Sequence, residues 1–163
     1  MRTFLLCLAL LASPLASAAE RVISLAPSLS EIMLELDAGD LLVGVIDGGE
    51  RPAALEGVPS VGRIGQLEME GLLGLQPTLV LLWPDSISHA QRDQLTQFGI
   101  PVLVAQPTSL AQLAKQFAVI GQRVGRGEQG RELQRQFEQG LEQLSERYRR
   151  EPPLDVFYQI WNR

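Results

Sequence analysis

Four short apolar runs punctuate the chain, at residues 22–26, 43–46, 79–83 and 102–105, each of strand length and rich in Val, Ile, Leu or Ala. Between them the apolar residues recur at helical spacing. These stretches cover 29–38, a short segment at 68–75 that Pro77 ends, and 88–98, which Gly99 and Pro101 follow. Pro27 ends the first strand, Ser28 and Glu31 form an S-x-x-E capping box opening the next helix, and Gly39 closes that helix. Strand alternating with helix predicts an α/β fold: an open, mainly parallel sheet covered on both faces. After the fourth strand, Thr108 and Ser109 supply a cap signal. Leu113, Phe117, Ile120 and Val124 then mark a helix over 110–124 that stops at Gly125.

A longer helical pattern follows at once. Residues 128–150 contain no proline, and Leu133, Phe137, Leu141, Leu144 and Tyr148 trace one face. At 1.5 Å per residue this helix would be about 35 Å long, the width of a small domain, so it runs across something or between two things. Pro152 and Pro153 stop it, and 154–161, LDVFYQIW, reads as a new strand. Such a strand needs a sheet to join. It either adds to the edge of the first sheet or opens a second lobe, and the second reading is preferred. The expected organisation is an α/β lobe over 20–126, an inter-lobe helix over 127–151, and the first strand of a truncated C-terminal lobe over 152–163.

The N-terminus changes this picture by adding an address. Arg2, the apolar run 4–11 and Ala16-Ser17-Ala18 read as a cleaved secretory signal peptide over 1–19, too short to span a bilayer. Cleavage leaves about 144 residues, one domain's worth. The only cysteine, Cys7, lies in the signal, so the mature chain has no disulfide, thiol nucleophile or cysteine metal ligand. A soluble protein of an oxidising exported compartment, the bacterial periplasm, is expected. Apolar content of 45% and charged content of 20% are those of an ordinary globular protein. The formal charge of −5 disfavours polyanions, and no nucleic-acid binding is expected.

Candidate site residues cluster where strands end. In the loop at Pro27 and Ser28, the backbone N–H groups of the helix start beyond the proline face the open end of the sheet, a place suited to a small molecule. Trp83 ends the third apolar run and so lies at the same carboxyl edge, where it either packs on the rim or meets a large planar ligand. Asp47-Gly48-Gly49-Glu50 follows the second strand; the glycines permit close approach of a ligand or simply a surface turn. Trp161 and Tyr158 are weaker candidates near the far strand. Glu68 and Glu70 open the short helix, where carboxylates suit the helix dipole. His89, the only histidine, reads as an exposed helix residue, with capping of a cobalt or iron centre as its alternative. A protein-built zinc site is not expected.

RVISLAPSLSEIMLELDAGDLLVGV, VGRIGQLEMEGLLGLQPTLVLLW, QLTQFGIPVLV, the long helix and VFYQIWNR together resemble the helical-backbone periplasmic binding proteins of ABC importers, which carry vitamin B12, ferric siderophores or haem. The resemblance covers nearly all of the mature chain but only the first of two lobes. It implies a non-enzymatic carrier that holds cobalamin in a cleft and delivers it to the permease subunits in the inner membrane, acting as a monomer at full length. Haem or a ferric siderophore is the alternative cargo, for which Arg51 and Arg63 are available cations. The resemblance also implies that Trp83 lines the cleft. It places Gly48 where the family has a stacking tyrosine, Ile64 where it has a tryptophan, and Glu70 at the glutamate that pairs with permease arginines.

Two other classes compete. An exported α/β hydrolase fits the alternation of elements, but G-x-S-x-G is absent and a triad would depend on His89; no P-loop or G-x-G-x-x-G occurs either. A structural or partner-binding fragment would work through the apolar stripe from Leu133 to Tyr148.

Overall fold

The computed structural model describes residues 20–149, 152 and 154–159. The signal-peptide expectation for 1–19 and the candidate Trp161 lie outside them. The apolar runs become β1 (Val22–Ser24), β2 (Leu42–Asp47), β5 (Leu79–Leu82) and β6 (Val102–Val104); β3 (Ser60–Arg63) and β4 (Gln66–Leu67) complete the sheet. The order is β4-β3-β2-β1-β5-β6, with only β3–β4 antiparallel. β1 and β5 are buried along their whole length, which is why they read as continuous apolar runs. The helices are α1 (Pro27–Glu35), α2 (Met69–Gly74), α3 (His89–Gln97), α4 (Leu110–Arg123) and α5 (Gly127–Arg147). One core packs Leu29, Met33 and Leu36 of the α1 segment with Phe117 and Ile120 of α4. The second packs Leu72 of α2 and Leu95 of α3. Helices thus cover both faces, and α1 and α3 leave β1 and β5 on opposite faces.

Several sequence expectations are corrected here. Ser28 does not cap α1: the cap position is Ala26, Pro27 fills the first turn, and no side chain caps the helix. Proline suits that place because its missing N–H has no helical partner to lose. A capping box does form at Ser88 and Gln91, which opens α3. α1 ends before Gly39, because Asp37 takes the left-handed conformation (φ 51°) and Ala38 N–H returns to Met33 O at 2.8 Å. β3 and β4 escaped the apolar pattern because they lie at the sheet's margin, with Ser60 and Arg63 exposed. Gly62, at φ 117°, has the backbone of Gln66 and Glu68 where a Cβ would sit, so only glycine fits between these two strands.

α4 and α5 form a tight hairpin. Gly125, at φ 74°, turns the chain, and Arg126 N–H returns to Gly121 O at 2.7 Å. A Cβ on Gly130 would lie 2.6 Å from Phe117 O, so the backbones touch where both helices carry glycine. Phe117 and Phe137 then meet edge to face, centroids 5.4 Å apart. Beyond that point the apolar face of α5 leaves the lobe: Leu144 is 53% and Tyr148 70% exposed. The 21 residues of α5 span about 31 Å. The strand expected over 154–161 is not formed at 154–159, which take no regular structure, with Phe157 89% and Tyr158 84% exposed. A strand requires a neighbour's backbone to bond in register, and the six-stranded sheet does not include this segment.

Candidate functional site

Because β1, β2, β3 and β5 run in one direction, the residues that follow them emerge at one edge of the sheet. These are Pro27, the Asp47–Gly48 pair, Ile64 and Trp83. Connections diverge between β1 and β5, so this edge is the switch point at which open α/β sheets bind ligands. The first three groups touch: a Cβ on Gly48 would lie 2.5 Å from Ile64 Cδ1 and 2.9 Å from Pro27 Cγ. Glycine at 48 lets a half-buried proline and a 58% exposed isoleucine close into an apolar shelf. Beside it lies a small, open concavity lined in part by Pro27, Asp47, Arg51 and Leu55.

The shelf is braced by polar contacts. Asp47 accepts a hydrogen bond from Ser60 Oγ at 2.6 Å and pairs with Arg51. Arg51 in turn donates to Val58 O at 2.7 Å, closing the loop between β2 and β3 on itself. The Ser60 hydroxyl, and after it the Arg51 guanidinium, holds the Asp47 carboxyl below its ordinary range. Under the β1–α1 turn, Ser30 Oγ donates to the buried Ser24 Oγ at 2.9 Å, and Ser24 donates to Ala26 O at 3.0 Å.

Across the switch point, Trp83 is half-buried against the α1 core. Its indole Nε1–H donates to Ser28 Oγ at 3.0 Å, and its backbone N–H donates to the buried Ser86 Oγ at 3.1 Å. Arg92 Nη2 holds the next carbonyl, Pro84 O, at 2.8 Å. Ser86, Ser60 and Arg92 were not singled out from sequence, since an isolated hydroxyl or arginine on a loop or helix carries no pattern. The D-x-x-x-R spacing of Asp47 and Arg51 was the one available signal.

The remaining candidates are exposed side chains, and Arg63 among them lies beside the shelf, in register with Asp47. Glu70 is exposed in the first turn of α2, just after Glu68 at its cap. His89 is exposed at the first position of α3, and Arg63 is exposed at the end of β3. Tyr158 sits in the irregular segment and is exposed. No group of three His, Cys, Asp or Glu side chains among the described residues is placed to hold a metal ion. The site is therefore an apolar shelf and one anchored aromatic, suited to holding a bulky molecule against a surface.

Residues 22–161 match the periplasmic binding protein family, and the chain belongs to it. The vitamin B12-binding protein of Yersinia pestis (strain Pestoides F) is 34% identical over 155 residues, which make up 95% of this chain and 55% of that relative. The chain thus spans about half the length of the curated relatives it matches. The periplasmic vitamin B12 binding protein of Vibrio cholerae superposes with a TM-score of 0.73 at 28% identity, over 80% of this chain and 51% of that one. A periplasmic haem binding protein of Pseudomonas aeruginosa gives 0.70 at 29% identity, over 78% and 46%. The sheet and its helices are one lobe of this fold.

Proposed function

We propose that the chain is the N-terminal lobe and connecting helix of an exported, non-enzymatic carrier for an ABC importer, and that its cargo is cobalamin or a similar metal chelate. The observation that supports this best is the convergence of Pro27, Gly48, Ile64 and Trp83 on one edge of the sheet, across the switch point. The mechanism is sequestration. The shelf and Trp83 take the apolar face of a large planar chelate, and the Asp47–Gly48 loop approaches its periphery. The cargo brings its own metal ligands, so the protein needs none. Residues 1–19 serve as the cleaved export signal, α5 as the strut to a second lobe, and 152–163 as that lobe's entry, which brings Trp161 to the opposite wall. Glu70 docks the carrier on the permease.

Haem is the second reading, supported by the haem-binding relative and by His89, the one imidazole, which opens the helix after Trp83. Titration of the purified chain with cyanocobalamin, haemin and a ferric siderophore, followed by the absorbance of each chelate, separates them. Saturable cyanocobalamin binding is expected, weakened about tenfold or more by Trp83→Ala through loss of a large aromatic contact. Preference for haemin, with a histidine-ligated spectrum lost in His89→Ala, would select the second reading. Binding unaffected by Trp83→Ala would remove this edge as the site.

A further inference from the structure

We infer that Ser28 is a positioning residue for the binding wall: its hydroxyl fixes the Trp83 indole across the switch point, so the ligand meets the ring's carbon surface and not its N–H. This rests on the proposed carrier function for what the ring then contacts, but not for the tether itself. The two side chains are 55 residues apart in sequence and belong to the connections on either side of the switch point, yet they meet at 3.0 Å. Ser28 stands exposed in the first turn of α1, and on the other side Ser86 Oγ accepts from the Trp83 backbone N–H while Arg92 holds Pro84 O.

The chemistry follows from the donor count. An indole has one N–H and accepts nothing, so once Ser28 takes that hydrogen the ring has only its π face and carbon edge to offer. Such a group recognises extended, apolar or planar surface and is indifferent to acceptor placement on the ligand. A tryptophan at a rim otherwise turns about two side-chain bonds, and holding it beforehand removes that ordering cost from the binding step. Helix capping does not account for this serine, because α1 has no side-chain cap.

The test uses Trp161→Phe as background, which leaves Trp83 as the sole tryptophan of the chain. Without ligand, Ser28→Ala should lower the fluorescence anisotropy of Trp83 and raise its quenching by acrylamide. Ser28→Thr, which keeps a hydroxyl, should restore both. With cyanocobalamin and haemin as probes, Ser28→Ala should weaken chelate binding roughly fivefold, as the ordering cost of one side chain returned to the binding step predicts, and Ser28→Thr should recover it. Unchanged anisotropy and quenching in Ser28→Ala would overturn the tether. A changed Trp83 signal with unchanged affinity would overturn the positioning role. Absence of binding in the background chain and in the unsubstituted one would sink the carrier reading, while the fluorescence arm still decides the tether.

Discussion

Asp47 shows how one side chain sets the geometry of a loop. Its carboxylate gathers Ser60 and Arg51, and Arg51 reaches the carbonyl of Val58, so the segment carrying Gly48 is drawn against Ile64 and Pro27. The carboxyl is held below its ordinary range in the folded chain, so its contribution is present in full above the unfolded value, about 3.9. That contribution is lost as pH falls through the lower folded value. The melting temperature of wild type should therefore exceed that of Asp47→Asn near neutral pH, and the gap should close below about pH 4. A gap that stayed constant down to pH 2 would show that the ionised carboxylate is not what matters. Sequence pointed to Asp47 as part of a ligand loop but not to its partners, since Ser60 lies 13 residues away on the neighbouring strand β3.

At the scale of elements, glycine separates packed from unpacked parts of α5. Gly130 touches α4, and an added Cβ would press on Phe117 O at 2.6 Å and Ala118 Cα at 3.1 Å, both backbone atoms that cannot swing away. Gly140 has open space around its missing Cβ. Gly130→Ala should cost about 1–3 kcal/mol by forcing the helices apart. Gly140→Ala should be neutral or stabilise by up to about 1 kcal/mol through helix propensity alone. Urea denaturation midpoints measure both, and a neutral Gly130→Ala would refute the close helix crossing. The 3.6-residue period made the helix itself legible in sequence. Which of its turns would be pressed against α4 was not, because that depends on where a second helix lies.

For the whole molecule, two exposed features bear on the proposed carrier. The apolar stripe of α5 leaves the lobe, and its Leu144 and Tyr148 are exposed, as exposed apolar residues at an interaction site would be; in the proposed carrier the second lobe covers them. Glu70 stands exposed on α2 and would meet a cationic partner, where charge pairing sets register and association rate more than affinity. Glu70→Arg in the full-length protein should abolish importer-dependent uptake of labelled cyanocobalamin while leaving its affinity for the carrier unchanged. Uptake at the wild-type rate would remove Glu70 from the docking surface.

Sequence by itself determined the alternation of strand and helix, the parallel sheet and the long final helix, because strands buried on both faces must be apolar throughout and a helix must show its period. It also placed Pro27, Gly48 and Trp83 at strand ends, and in a parallel sheet strand ends share an edge. Tertiary structure alone decided that Ser28 serves Trp83 instead of capping α1. Proline already starts that helix, and the indole arrives from 55 residues away. It likewise decided that β3 and β4 extend the sheet, and that 154–159 form no strand there. Short strands at a sheet's margin carry little apolar pattern of their own; whether they form is settled by the neighbour that supplies their hydrogen bonds.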